Sequence, residues 1–231
     1  MESNTIGFNP AFGSLSGRIP ETLFLKDPES SDLGKRILSG SIDMLFEIGF
    51  EQFTFLKLAR TLQTSEASVY RYFENKHKLL LYLTTWYWAW MDHRLDLALA
   101  NRRSAKERLR AAVQILTEQV TEDSTFTYIN ESQLHRVVIE ESAKTYMSKE
   151  VDDDNKAGAF KGYKQIVARV SDLILELQPN YRYPHMLVST LIEGAHHQRF
   201  FAEHLPSLTD ERQNEDTITR FFTQMVFQTI G

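Results

Sequence analysis

No proline occurs between Pro28 and Pro179. Proline removes an amide hydrogen and clashes with the preceding turn, so a run this long without it leaves continuous helices open. Glycine is also sparse, at 10 in 231 residues. Within the run, apolar residues recur at three- and four-residue spacing, the period of an amphipathic helix. Phe160, Tyr163, Val167, Val170, Ile174 and Leu177 form one such stripe, and after the last proline Ile218, Phe221, Phe222, Met225, Val226 and Thr229 form another. Thr125–Ile129 alternates as a short strand would, but stands alone. The pattern predicts an all-α fold of about nine helices.

The chain has no cysteine, which removes disulfides, thiol catalysis, cysteine zinc sites and iron–sulfur clusters. No apolar run is long enough to span a bilayer, and Met1–Phe12 lacks the basic start and apolar stretch of a secretion signal. A cytoplasmic protein without a membrane partner is expected. The net charge of −5 argues against a surface coated with nucleic acid, yet the charge is segregated. Between Thr54 and Lys78, Lys57, Arg60, Arg71, Lys76 and Lys78 face only Glu66 and Glu74.

That basic window has its own architecture. Residues 1–31 have no sustained period and read as a mobile arm that can dock through Leu23, Phe24 and Leu25. Asp27–Ser31 supplies a turn and an N-cap for a first helix over Leu33–Ile48, and Gly49 stops it. Thr54 begins a second, short helix carrying Leu56, Leu58, Ala59 and Leu62. Gln63-Thr64 turns the chain, and Ser65 caps a third helix over Glu66–Phe73. Val69 and Phe73 lie four apart on its inner face, which sets Ala67, Ser68, Arg71 and Tyr72 outward. Two short helices joined by a tight turn form a helix-turn-helix, whose second helix fits a DNA major groove about 12 Å wide. A longer helix follows, from about Lys76 to Asn101.

The stretch Phe50-Glu-Gln-Phe-Thr-Phe-Leu-Lys-Leu-Ala59, followed by Ser65-Glu-Ala-Ser-Val-Tyr-Arg-Tyr-Phe-Glu-Asn-Lys76 and Leu79-Leu80, resembles the N-terminal domain of TetR-type transcriptional regulators. The resemblance covers about 32–83. It departs at Gln63, where the family usually turns with glycine, and at Glu66, where it usually has a neutral or basic residue. It implies that Ser68 and Arg71 read bases. Ala67 and Glu66 share their face, and Glu66 could accept from a cytosine amino group. It further implies that Thr54, Lys57, Tyr70, Tyr72 and Lys76 meet the sugar–phosphate backbone. For Arg71 the chemistry agrees independently, because bidentate Arg–guanine is the commonest specific contact.

No catalytic constellation stands out: there is no glycine-rich phosphate loop, no Gly-x-Ser-x-Gly and no acid pair in a plausible cleft. Glu193-Gly-Ala-His196 has the Glu-x-x-His spacing of di-iron bundles, but such a bundle needs a second copy and two further carboxylates on core helices. Glu74–His77, the other match, falls in the helix-turn-helix. No metal and no cofactor are expected. Asp152–Asp154 reads as a solvated loop. Thr84–Met91 carries Trp86, Trp88 and Trp90, as core or as the wall of a cavity. Candidate lining residues for an apolar or amphipathic effector are Trp90, Tyr128, Tyr163, Val167 and His197. Gly194 and Ala195 permit close helix approach, and with Phe222 and Val226 they are the candidate dimer interface, through helices over Pro184–His204 and Asp210–Thr229.

The expectation is therefore a non-enzymatic, ligand-responsive regulator, a repressor released from a palindromic operator by a small molecule. Residues 1–31 form the arm, 32–78 the three-helix DNA-binding domain, and 79–231 a larger helical domain for effector binding and homodimerisation. Its partners are double-stranded DNA, a small-molecule effector and a second copy of itself. The alternatives are an all-α enzyme with a metal or cofactor site, or a helix-turn-helix protein serving only as an interaction scaffold.

Overall fold

The computed structural model describes residues 15–121, 126–212 and 215–231. Among these it contains eleven α-helices and no strand. They are α1 (Asp32–Gln52), α2 (Phe55–Thr61), α3 (Glu66–Tyr70), α4 (Lys76–Leu99), α5 (Ala105–Thr117), α6 (Glu131–Glu140), α7 (Ser142–Tyr146), α8 (Val151–Lys156), α9 (Lys161–Leu177), α10 (Pro184–His204) and α11 (Thr217–Ile230).

The starts of the first four helices follow from side-chain caps. Ser31, Thr54, Ser65 and Asn75 each accept from an amide in the first turn that follows. Each satisfies one of the donors that a helix start leaves without a partner. Gly49 has φ +70° and breaks the regular geometry of α1 three residues before its end. Gln63 is the one non-glycine residue with positive φ (53°) among those described. It makes the α2–α3 turn where a glycine would serve without strain.

Helix α4 lies at the centre. Every residue from Leu79 to Met91 is buried, so this helix has no polar face, as expected of one enclosed on all sides. Helices α5, α6, α7 and α9 surround it. Residues 15–31 also pack against it, through buried Leu15, Ile19 and Leu23. Arg18 pairs with Asp92, and buried Glu29 accepts from Trp86 Nε1 at 3.0 Å. These residues are docked rather than a free arm, with Leu23 buried, Phe24 half-buried and Leu25 exposed. Residues 1–14 lie outside the described residues.

Helices α6 and α7 are separated at Glu141, whose carboxylate accepts from the Phe50 amide at 2.7 Å beside the Gly49 break. Three expectations need correction. Phe126–Ile129 forms a turn and not a strand, and Thr125 lies outside the described residues. Val151–Asn155 is not a loop but most of α8, and Asp154 is buried. Its carboxylate meets His77 Nε2 at 2.7 Å and Lys78 Nζ at 3.2 Å, so pairing replaces the expected solvation. Finally, Gly194, Ala195, Phe222 and Val226 are spent inside one protomer. A Cβ on Gly194 would stand 2.8 Å from Phe222 Cζ, and the other three are buried. The small pair admits α11 of the same chain.

The strain at Gln63 yields a test. Gln63→Gly removes a left-handed cost of about 1–2 kcal/mol and adds about 0.5–1 kcal/mol of backbone entropy. A small net rise in stability is expected, read as a higher urea midpoint at unchanged slope.

Candidate DNA-binding surface and a polar cleft in the helical body

The segment from Leu62 to Ser65 turns α2 into α3, with Thr64 N donating to Ala59 O at 2.9 Å. Phe55, Leu58 and Ala59 from α2, Val69 from α3 and Phe73 just after it are buried. What remains outside is the surface open to a partner. Thr54, Lys57, Ala67, Tyr70 and Arg71 are exposed, and Glu66 and Ser68 are half-buried. The Tyr70 ring stands edge-on to Phe55, centroids 5.0 Å apart, which fixes its phenol outward. Lys57 is held by Gln52 O at 2.8 Å, and Ser68 Oγ lies 2.8 Å from the capping Ser65 Oγ. Arg71 sits at the end of α3, in helical geometry. Arg60 is exposed on α2 as well; the charge pattern included it, but no motif singled it out.

Tyr72 and Lys76 do not belong to this surface. Tyr72 is 1% exposed. Its hydroxyl is 2.8 Å from Ser31 Oγ, its carbonyl accepts from Leu25 N at 2.8 Å, and Lys26 lies over its ring. The helix ends at Tyr70, so residue 72 rotates inward, away from the face that continued helical spacing would give it. Lys76 Nζ donates to Phe50 O at 2.8 Å and Phe53 O at 3.3 Å, above the Phe50 ring. A cation here satisfies the carbonyls that the end of α1 leaves without partners.

The five candidate effector residues do not converge. Trp90 is core, beneath the Arg94 guanidinium. Tyr128 lies near Phe126 and the Lys35 ammonium. Tyr163 stacks on Trp88 at 4.2 Å and donates to Glu193 Oε1 at 3.0 Å. Val167 is half-buried at the edge of α9, and His197 is exposed. None of the five is a wall of the cleft between α6 and α10. Aromatic density marked the core, because the rings fill the space between helices, where polar atoms can take local partners, as Trp88 Nε1 does with Tyr146 Oη at 2.6 Å. Glu193 and His196 form no metal site, and no group of three metal-ligating side chains comes together among the described residues.

A polar cleft opens instead between α6, α10 and the residues after α5. Its volume is about 60 Å³, and Val120, His135, Arg136, Ile139, Arg199 and Phe200 are among its walls. Periodicity gave no sign of it, since its polar residues come from separate helices. Burial, with His196, Arg199 and Arg94 nearby, holds His135 well below the usual histidine range. Burial, with His197 adding to it, pushes His196 down to about 4.

Two short capped helices with an exposed basic face make this a helix-turn-helix DNA-binding protein. Residues 37–83 match the model of bacterial regulatory proteins of the tetR family. The matched segment, from within α1 to the first turns of α4, is the helix-turn-helix domain, which makes the chain a DNA-binding transcriptional regulator. Comparison with curated protein sequences gave no match. Among solved structures, one tetR-family regulatory protein from Rhodococcus RHA1 is similar at TM-score 0.61 and 15% identity, over 87% of this chain and 98% of that one. The superantigen PfiT is similar at TM-score 0.58 and 15% identity, over 88% and 97%. AibR in complex with isovaleryl coenzyme A and operator DNA is similar at TM-score 0.57 and 15% identity, over 84% and 98%. At such identity these three establish the fold alone.

Lys76→Ala should cost stability, by about 1–3 kcal/mol for carbonyls left without a charged donor, while the salt dependence of DNA binding stays unchanged. A phosphate contact would instead flatten that dependence. The histidines predict a pH effect with a definite sign. Above an unfolded pKa of about 6.5 both states are neutral at His135 and His196, and stability is full. As pH falls below that value the unfolded chain takes up protons that the folded chain refuses, so stability drops by up to ~1.4 kcal/mol per unit for each histidine. Urea denaturation from about pH 7 to about pH 5 should show this loss, and His196→Phe should roughly halve its slope.

Proposed function

We propose that this regulator is a homodimeric repressor that binds a palindromic operator through α3 and leaves it when a small molecule binds the helical body. The observation that carries this reading is α4. It begins directly behind the helix-turn-helix and is buried through Met91 in the body, and buried Asp154 of α8 grips its first turn through His77 and Lys78. A shift of the body packing therefore moves α3. The effector acts by favouring a dimer in which the two recognition helices are wrongly spaced for the operator. The fold shared with AibR, whose complex holds both an acyl coenzyme A and operator DNA, supports the same two-site logic. With operators as targets, the cytoplasm is the place of action. No helix among the described residues is long and apolar enough to cross a membrane.

Bases are assigned to Arg71, Ser68 and Ala67, with Glu66 beside them, and the sugar–phosphate backbone to Thr54, Lys57 and Tyr70, to which we add Arg60. Because Gly194, Ala195, Phe222 and Val226 are internal, the dimer is assigned to the exposed apolar residues of α10, α11 and the segment between them, Met186, Leu205, Leu208 and Phe221.

Arg71→Ala should weaken operator binding by about 1–3 kcal/mol per half-site and relax preference at one base pair in each half-site. Sequencing of genomic fragments retained by wild-type and variant protein reads both effects. Equal weakening on random DNA would make Arg71 a backbone contact. Phe221→Asp should turn a dimer into a monomer in light scattering, and a wild-type monomer would refute the dimeric repressor.

A further inference from the structure

His135 is 8% exposed and lines the cleft between α6 and α10. Its Nδ1 lies 2.9 Å from the hydroxyl of Tyr87. Its Nε2 is buried without a hydrogen-bond partner among the described residues. The hydrogens can be assigned by accounting. If Nδ1–H donated to Tyr87, two buried groups would be left unsatisfied, the phenol hydrogen and the Nε2 lone pair. If Tyr87 donates to Nδ1, one is left, the buried Nε2–H donor of a residue that lines the cleft. Leaving a buried polar group without a partner costs about 1–3 kcal/mol, so the second arrangement holds.

The surroundings of this donor select its partner. The Arg199 and Arg94 charges both act on His135. The acids at the cleft are already engaged: Glu203 and Glu140 pair with Arg136 at 2.8 and 3.5 Å. A cation is thus disfavoured and an acceptor favoured. The space of about 60 Å³ in the cleft takes a few water-sized groups, at ~10–15 Å³ each. It therefore holds a head group, with an apolar body left to lie along Val120, Ile139 and Phe200.

We propose that the α6–α10 cleft is a binding site for a small organic molecule that presents an acceptor oxygen, a carboxylate or carbonyl, to His135 Nε2–H, its apolar body resting on Val120, Ile139 and Phe200. This rests on the ligand-responsive reading above and supplies the class of effector and its anchoring residue. Arg199 links the site to the rest of the body, since it also bonds Thr117 O at the end of α5 and Asp216 at the start of α11.

The test uses the full chain labelled with ¹⁵N in its histidine rings, titrated with benzoate, benzamide and benzylamine. Benzoate or benzamide should shift the His135 Nε2 signal saturably, and benzylamine should not. A response to benzoate alone assigns the head as a carboxylate, and an equal response to benzamide assigns it as a carbonyl. His135→Phe should remove the assigned signal and lower affinity about tenfold, the loss of one hydrogen bond. Should that variant not fold, the wild-type titration still decides. No shift with either acceptor, or an equal shift with benzylamine, overturns the proposal. Repeating the titration with bound genomic DNA separates the two readings. A His135 shift without DNA release leaves the site standing and defeats induction through it. DNA release by another compound that leaves His135 unmoved keeps the repressor and defeats this site.

Discussion

The burial of α4 is the constraint on which the rest of the molecule depends. A helix without a polar side cannot sit on a surface, so the chain must wrap it. Helices α5, α6, α7 and α9 do so, together with residues 15–31. Its three tryptophans bring polar nitrogens into that core, and each case resolved by the structure has its answer: Glu29 for Trp86 and Tyr146 for Trp88. Burying a polar group without a partner would offset much of what the ring contributes. This explains why a glutamate, Glu29, is found inside.

The same helix makes the two ends of the molecule mechanically one. At its first turn, Lys76 closes the end of α1 and Asp154 reaches across from α8. Both residues look at first like solvent or DNA contacts, and both are used to fix the angle between the DNA-binding helices and the body. Tyr72 plays a third such part, tying the end of α3 to Ser31 and Leu25. The surface left to meet DNA is correspondingly small: a few basic and hydroxyl side chains whose backbones these ties hold in place. This is how an acidic chain keeps a local basic face.

The likeness to both tetR-family regulators and the superantigen PfiT shows how little the fold alone decides. Function lies in the sites mounted on it. Here the exposed face of α3 and the lone donor of His135 are the features with chemistry left over after folding has used its share.

The sequence alone determined the helix-turn-helix. Its caps, its turn and its inward Val69 and Phe73 are local, set by residues within a few positions of one another, and hydrogen bonds spanning three or four residues leave a readable signature. The all-α class followed from proline spacing and periodicity for the same reason. Only the tertiary structure decided which way ambiguous residues turn. Gly194 and Phe222 could have met a second chain or their own, and packing of α11 on α10 chose the latter. Asp154 reads as solvated and Lys76 as a phosphate contact until distant partners in α4 and α1 are brought to them. The cleft at His135 is built from α6, α10 and the end of α5, far apart in sequence. No periodicity records it, because it exists only where those helices meet.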